Sequence, residues 1–389
     1  MRAYLVGGYV RDRLLGLNPA DRDWVVVGET ADSMLARGYK MAGKGFPVFL
    51  HPQTGEVYAL ARTDRDRGER HADRTVFAAP DVSLEDDLAR RDLTLNAMAM
   101  TADGALIDPF GGARDLAQGV LRHVGPGFRD DPVRVLRVAR FAARFGFTIA
   151  AETRALIGDM VAAGELDTMI PERVWNELDK ALGGPHPDEF IRTLFGLGAL
   201  AQVMPRIDQL MHDTHRDGLL AALAAAAERS DDPLVRFGVL VCRLGMDGPG
   251  QDDAAAAVDA LGKHIAAPVR FRRFGRACAA YRDAVLILDR LDPATAVSLF
   301  TGIGALKRPA DFDRFLLVCE ADAVGRGETP DDAASRSRQL RRLLAAVAAV
   351  PTAAVGAAGL SGQAFGERLR TLQTEAVRQA MAPQNARTK

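Results

Sequence analysis

The sequence changes its pattern near residue 125, and this change limits the fold more than any other feature. Before it, short apolar runs alternate with Gly and Pro: Tyr4–Val6, Trp24–Val27, Pro47–Leu50, Val57–Ala61 and Leu106–Ile107. Runs of that length between breakers read as strands, with short helices between them. After it, Ala- and Leu-rich stretches with helical spacing dominate, separated by Pro171, Pro185, Pro187, Pro205 and Pro268. The expected fold class is α+β, a small mixed α/β head domain followed by an extended all-α body and tail. The expected divisions are a head at 1–125, a helical neck at 126–205 and a helical body and tail at 206–389. Thr63–Thr75 is highly charged without an apolar period, which predicts a mobile loop inside the head. The tail after Ala382 is expected to fray.

Composition narrows the function classes. A net charge of −1 over 389 residues provides no global basic field, so any polyanion must be held by local arginine clusters. Lysine is scarce and arginine plentiful throughout, so surplus arginine alone carries little information. Cys242, Cys278 and Cys319 are odd in number and widely spaced. They point to a reducing compartment and against a disulfide framework or a thiolate metal site. The first apolar run is too short for a signal peptide, and none approaches the roughly 18 residues of a membrane span. A cytoplasmic protein is expected.

The head opens Leu5-Val6-Gly7-Gly8-Tyr9-Val10-Arg11-Asp12. A strand running into Gly-Gly and then an amphipathic helix makes a tight turn at a helix N-terminus. Free N–H groups and the helix dipole favour a phosphate there. Arg11, one turn into the helix, can offer the same phosphates a planar fork. Asp21 and Asp23 stand at the start of the next expected strand, where residues two apart share a face. Magnesium takes hard oxygen ligands, commonly one or two carboxylates plus substrate phosphates. Two such ions can activate a 3′-hydroxyl and steady a departing pyrophosphate. A Gly-Gly turn or an Asp-x-Asp pair is common by itself. The two separated by about a dozen residues point to nucleotidyl transfer.

Arginine is patterned at two further places. Arg90-Arg91 follows an acidic helix in which Ser83 and Asp86 fit a capping box, and charge balance against Glu85 to Asp87 is its plain reading. Asp130-Asp131-Pro132 opens another helix, with aspartates at the positive end of its dipole. At about 100° per residue, Arg134, Arg137, Arg140 and Arg144 fall within roughly a 120° arc. Val135, Leu136, Val138, Ala139, Ala142 and Ala143 occupy the rest. Four like charges on one face call for an anion opposite them.

Gly7-Gly8-x-x-Arg11-Asp12, Asp21-x-Asp23, Arg90-Arg91-Asp92-Leu93-Thr94-Leu95-Asn96-Ala97, Asp108-Pro109-Phe110-Gly111-Gly112 and Asp131-x-x-Arg134 occur in one order. Together with Pro171-Glu172-Arg173-Val174-Trp175, they make the chain resemble the bacterial class II CCA-adding tRNA nucleotidyltransferases of the polymerase-β superfamily. The likeness is dense from residue 1 to about 182. It implies that Asp21 and Asp23 hold magnesium ions, that Gly8 and Arg11 contact the triphosphate, and that Arg91, Arg137 and Arg140 complete the nucleotide pocket. It further implies that Asp131 and Arg134 act as a protein template for the base. The chemistry agrees, since cytosine and adenine both present an exocyclic amine beside a ring-nitrogen acceptor, whereas guanine and uracil reverse that pattern. The implied partners are the tRNA 3′ end and acceptor stem, CTP and ATP, with no membrane and a monomeric chain.

The chain departs from the resemblance in three ways. The strand position matched to a third acidic residue is Val57, with Glu56 on the opposite face, so no third ligand is assigned. Asp130 stands where a glutamate is usual. Longer bacterial enzymes carry a His-Asp metal phosphohydrolase module, but the matched pair here is Cys242-Arg243, so residues 206–389 read as a degenerate version without that activity. His212-Asp213 reads as surface. For RNA, Arg270, Arg272, Arg273 and Arg276, interleaved with Phe271 and Phe274, are the candidate backbone contacts, and the alternative is a helix with aromatics in the core and arginines in water. The rival functions are a poly(A) polymerase, a CC-only or A-only member of a split pair, and an inactive RNA-binding remnant.

Overall fold

Two strands set the head. In Arg2–Val6 (β1) and Asp23–Val27 (β2), alternate residues point to opposite faces of one sheet. Val25 and Val27 join Val6, Leu88, Ala97 and Ala99 in one core. Val26 joins Met34, Phe49, Tyr58 and Leu60 in a second core on the other face. A computed structural model describes the chain except residues 20, 43–47, 66–74, 213–215, 246–250, 354–360 and 383–389. It divides into two units, Met1–Met169 and Ile170–Lys389.

The first unit continues with helix Gly8–Leu14 (α1), helix Ala31–Ala36 (α2), and strands Lys40–Ala42 (β3), Val48–Leu50 (β4) and Val57–Leu60 (β5). Arg62–Arg65 (β6) and Thr75–Ala78 (β7) follow, then helix Leu84–Ala89 (α3) and a 3-10 turn at Thr94–Asn96. Strands Ala99–Met100 (β8) and Leu106–Ile107 (β9) complete a seven-stranded sheet of order β3-β4-β5-β2-β1-β8-β9. Its β2–β5 pair is parallel and the other neighbours are antiparallel. Helix Gly112–Gln118 (α4), strand Val120–Leu121 (β10), helix Val133–Phe145 (α5), strand Thr148–Ile149 (β11) and helix Ala151–Ala162 (α6) follow.

The expected mobile loop differs from the structure at both ends. Thr63 to Arg65 and Thr75 belong to the antiparallel β6–β7 ladder, and residues 66–74 lie outside the described residues. A two-stranded ladder is held by backbone hydrogen bonds and needs no apolar period, so the charge pattern concealed it. The tail expected to fray also lies outside the described residues from 383 onward.

Local signals explain several joints. Ser83 and Asp86 form the expected capping box at the start of α3. Asp108 caps α4, accepting from the Gly112 N–H at 2.7 Å and the Ala113 N–H at 2.9 Å. A Cβ on Gly112 would lie 2.2 Å from the Thr94 carbonyl oxygen, so the Asp108–Gly112 motif packs α4 against the 3-10 turn.

The second unit is helical throughout its described residues. Its helices are Pro171–Leu182 (α7), Pro187–Gly196 (α8), Leu200–Val203 (α9), Pro205–His212 (α10), Arg216–Arg229 (α11), Pro233–Val241 (α12), Gln251–His264 (α13) and Val269–Leu286 (α14). Pro293–Ile303 (α15), Pro309–Gly325 (α16), Pro330–Ala348 (α17) and Gly362–Met381 (α18) complete it. Phe190, Phe237, Phe300 and Phe315 are among its fully buried side chains. No helix among the described residues is long and apolar enough to cross a membrane.

Candidate active site

The Gly-Gly turn is shaped by two arginines. Gly7 caps α1 with φ 66, a conformation that favours glycine. A Cβ on Gly7 would lie 2.9 Å from Arg91 Nη1, and one on Gly8 would lie 3.5 Å from Arg11 Nη2. Gly7 therefore leaves room for the Arg91 guanidinium, whereas at Gly8 a side chain would meet Arg11 in ordinary contact.

The carboxylate pair lies close by, with one correction. β2 begins at Asp23, so Asp21 stands in the connection before the strand and not on it. Both side chains reach solvent. Even so, desolvation by the surrounding walls raises the Asp23 carboxyl above its ordinary range, Arg91 opposes the rise, and the Asp21 charge adds to it. Asp23 thus senses both Arg91 and Asp21. Asp23 pairs with Val57 across the β2–β5 ladder. Glu56 instead accepts from Trp24 Nε1 at 3.0 Å and from Arg22 at 3.4 Å, which ties it to the opposite face. Two exposed, mutually repelling carboxylates with hard oxygens suit a divalent cation.

The arginines are held by the protein's own groups. Arg91 pairs with Asp87 at 3.0 Å and donates to the Asn96 carbonyl at 3.4 Å, while its buried Nε has no hydrogen-bond partner. Charge balance against the acidic helix and a place beside Gly7 therefore describe the same side chain. Arg11 is only 4% exposed. It bonds Asp12 and Asn96, each at 2.7 Å, and its guanidinium sits over the rings of Phe141 and Phe145, 5.0 and 5.2 Å from their centroids. On α5, Val135, Leu136, Val138, Ala139 and Ala143 are buried as the spacing requires.

The α5 row meets carboxylates of this chain. Arg137 Nε donates to Asp92 at 2.7 Å, and Arg144 lies 3.3 Å from Asp12. Arg140 sits over Phe141, 4.4 Å from the ring centroid. Arg134 is tied to backbone, donating to the Gly127 and Arg90 carbonyls at 2.6 Å each. Burial draws its pKa below the ordinary arginine value, against the opposing charges of Asp92 and Asp131. Asp131 accepts from the Val133 N–H at 3.3 Å, just ahead of the helix.

Asp12, Asp92 and Asn96 are the members of this site that spacing did not mark. Asn96 ends the 3-10 turn and Asp92 stands just before it, and so short a turn has no amphipathic period to read. The available signal was the Asp-x-x-x-Asn interval directly after Arg90-Arg91.

Comparison with known proteins gives the same order of parts. Residues 3–122 match the family described as the poly A polymerase head domain, and residues 146–211 match the probable RNA and SrmB-binding site of polymerase A. The Multifunctional CCA protein of Nitrosococcus oceani is 46% identical over 402 residues, covering 98% of this chain and 99% of that protein. The chain belongs to the CCA-adding tRNA nucleotidyltransferases. The Multifunctional CCA protein of Methylococcus capsulatus is 44% identical, covering 100% of this chain and 97% of that one. A solved CCA-adding enzyme in an apo form shares the fold at a TM-score of 0.70 and 22% identity, covering 98% of this chain and 88% of that one.

In the second unit of this CCA-adding enzyme, the candidate RNA contacts are largely engaged. Phe271 packs on Trp175 and Phe237, with centroids 4.7 and 5.6 Å apart, and Phe274 is buried. Arg276 lies 3.0 Å from Asp259, Arg272 4.0 Å from the same residue, and Arg273 3.4 Å from Asp311. Arg270 is exposed. Cys242 and Arg243 are buried beside Asp322, which is closed from solvent. Arg243 Nε donates to Asp322 at 2.7 Å, Arg282 lies 3.4 Å away, and Arg326 pairs with it too. Burial pushes the Cys242 thiol up to about 12, which disfavours the thiolate a metal would need. His212 is exposed and lies 3.3 Å from Asp208, while Asp213 falls outside the described residues.

Proposed function

We propose that the residues gathered around the Gly7-Gly8 turn carry out CCA addition in this chain. The observation that carries this reading is the convergence of Asp23, Arg91 and Gly7. Arg91 stands within 2.9 Å of where a Gly7 Cβ would be, and its charge acts directly on Asp23. Asp21 and Asp23 would hold magnesium, which supplies Lewis-acid stabilisation of the developing negative charge. The Gly7 N–H donates to the Met98 carbonyl, so the phosphates are received by the first N–H groups of α1 and by Arg91, with the Arg11 edge beside Gly8. Arg137 and Arg140 complete that cradle from α5. The tRNA 3′-oxygen forms a bond to the α-phosphorus of CTP or ATP, the bond to the bridging oxygen breaks, and pyrophosphate leaves with that oxygen. The hydroxyl proton passes to solvent.

Asp131 and Arg134 read the base. Asp131 accepts from the exocyclic amine and Arg134 donates to the ring nitrogen. Its two carbonyl contacts leave guanidinium N–H groups available and hold the fork in place. The functional division follows: a catalytic head at 1–125, a neck at 126–205 that recognises nucleotide, and a body at 206–389 that holds the tRNA acceptor stem, with Arg270 among its contacts. The same reading withholds metal phosphohydrolase activity, because three arginines neutralise Asp322 where cations would be needed. The enzyme works as a cytoplasmic monomer. Three acceptors, tRNA lacking its end, tRNA ending in C and tRNA ending in CC, incubated with labelled CTP or ATP test it. Full addition on all three is expected. Addition of C alone, A alone or long A tracts would assign a different member of the superfamily, and none at all an inactive remnant.

A further inference from the structure

A ladder of alternating charges runs from α1 to α5. Arg144 Nη2 lies 3.3 Å from Asp12 Oδ2, and Arg11 Nε donates to Asp12 Oδ1 at 2.7 Å. Arg11 Nη1 donates to Asn96 Oδ1 at 2.7 Å, and Asn96 Nδ2 donates to Asp92 Oδ1 at 3.0 Å. Arg137 Nε donates to Asp92 Oδ2 at 2.7 Å. The amide has one workable orientation. Its carbonyl must face Arg11, which has no acceptor, and its NH2 must face an ionised carboxylate, which has no donor. Asp92 and Asn96 are 6% and 5% exposed, so they fix two guanidiniums from behind.

We propose that Asp92 and Asn96 are positioning residues for the incoming triphosphate, holding Arg137 and Arg11 in the orientation in which a polyphosphate meets them. This rests on the reading that Arg11 and Arg137 face the triphosphate. A competing effect has the opposite sign. A buried carboxylate repels a polyanion, so its neutralisation alone would tighten binding. Losing the bonds that hold the guanidiniums frees side chains that must be re-ordered when ligand arrives, which weakens binding by about twofold to tenfold per side chain. The direction of change therefore decides between the two effects.

The test uses the full chain with inorganic tripolyphosphate as a competitor of CTP, alongside KM, kcat and melting temperature. Asp92→Asn and Asn96→Ala are expected to raise the tripolyphosphate Ki and the KM for CTP and ATP together, by about twofold to tenfold. A smaller change in kcat is expected, with unaltered preference for C and A over U and G, because phosphate contacts carry no base information. Tighter tripolyphosphate binding in Asp92→Asn, or an unmoved Ki in Asn96→Ala, would overturn the proposal. Arg11→Ala and Arg137→Ala run beside them. If these two also leave Ki unmoved, the pocket assignment itself fails. If they weaken binding while Asn96→Ala does not, only the positioning role fails. Should Asp92→Asn not fold, Asn96→Ala and the milder Asn96→Ser carry the comparison.

Discussion

Glu56 accepts a hydrogen bond from the Trp24 indole, 3.0 Å between Nε1 and Oε2, and so turns away from the face of β2 that carries Asp23. Val57 occupies the place across the ladder from Asp23, presenting methyl groups beside the carboxylate pair. The proposed metal site therefore takes its carboxylates from Asp21 and Asp23, with none from β5. Asp21→Ala or Asp23→Ala is expected to abolish addition of both C and A while tRNA binding persists. Glu56→Gln is expected to leave turnover within about twofold, since it alters a peripheral contact. Extension of tRNA lacking its end, with labelled CTP and ATP, measures all three. A fall in Glu56→Gln as deep as that in Asp23→Ala would make Glu56 a third ligand.

The Asp322 cluster has a stability consequence with a definite sign. Burial pushes the Asp322 carboxyl up, but Arg282, Arg243 and Arg326 outweigh it and hold the carboxyl below its ordinary 3.8. A depressed folded-state pKa contributes stability above the unfolded value, and that contribution fades as pH falls through the folded value. Asp322→Ala removes the buried carboxylate shared by Arg243, Arg282 and Arg326, and should cost about 3–5 kcal/mol at neutral pH. Melting temperatures should show the gap narrowing only as pH drops below 3.8. A gap independent of pH would mean that Asp322 contributes packing and not charge.

The proposed lack of phosphohydrolase activity is tested separately. Purified protein should not hydrolyse 2′,3′-cyclic nucleotides with added nickel, cobalt or manganese, if Cys242 and Arg243 replace the His-Asp ligands as the resemblance implies. Metal-dependent hydrolysis that persists through further purification would return attention to His212, Asp213 and His215.

Periodicity made the arginine face of α5 legible, because a helix of 13 residues repeats its burial several times, while β2 was legible as a short apolar run buried on both faces. The two-residue strands β8, β10 and β11 repeat too little to be read. The anions opposite the arginine row were expected from a ligand, yet Asp92 and Asp12 of this chain supply part of them. These carboxylates lie 45 and 132 positions from their arginines in sequence, and no local pattern encodes such a pairing. The Asp108–Gly112 motif was visible as letters, but its role in packing α4 against the Thr94 carbonyl required the fold.

On the proposed reading, base choice turns on Arg134. Its guanidinium is fixed by the Gly127 and Arg90 carbonyls at 2.6 Å each, and its charge interacts with Asp131 just ahead of the helix. A good bidentate contact discriminates between bases by about 1–3 kcal/mol. The decisive measurement is misincorporation on tRNA lacking its end, with each of the four nucleotides supplied singly to the wild type, Arg134→Ala and Arg91→Ala. Arg134→Ala should let UTP and GTP gain relative to CTP and ATP by about tenfold or more, while Arg91→Ala should weaken all four about equally. If Arg134→Ala instead slowed CTP and ATP uniformly, with rejection of UTP unchanged, α5 would be only an anion clamp and the protein would not be the template.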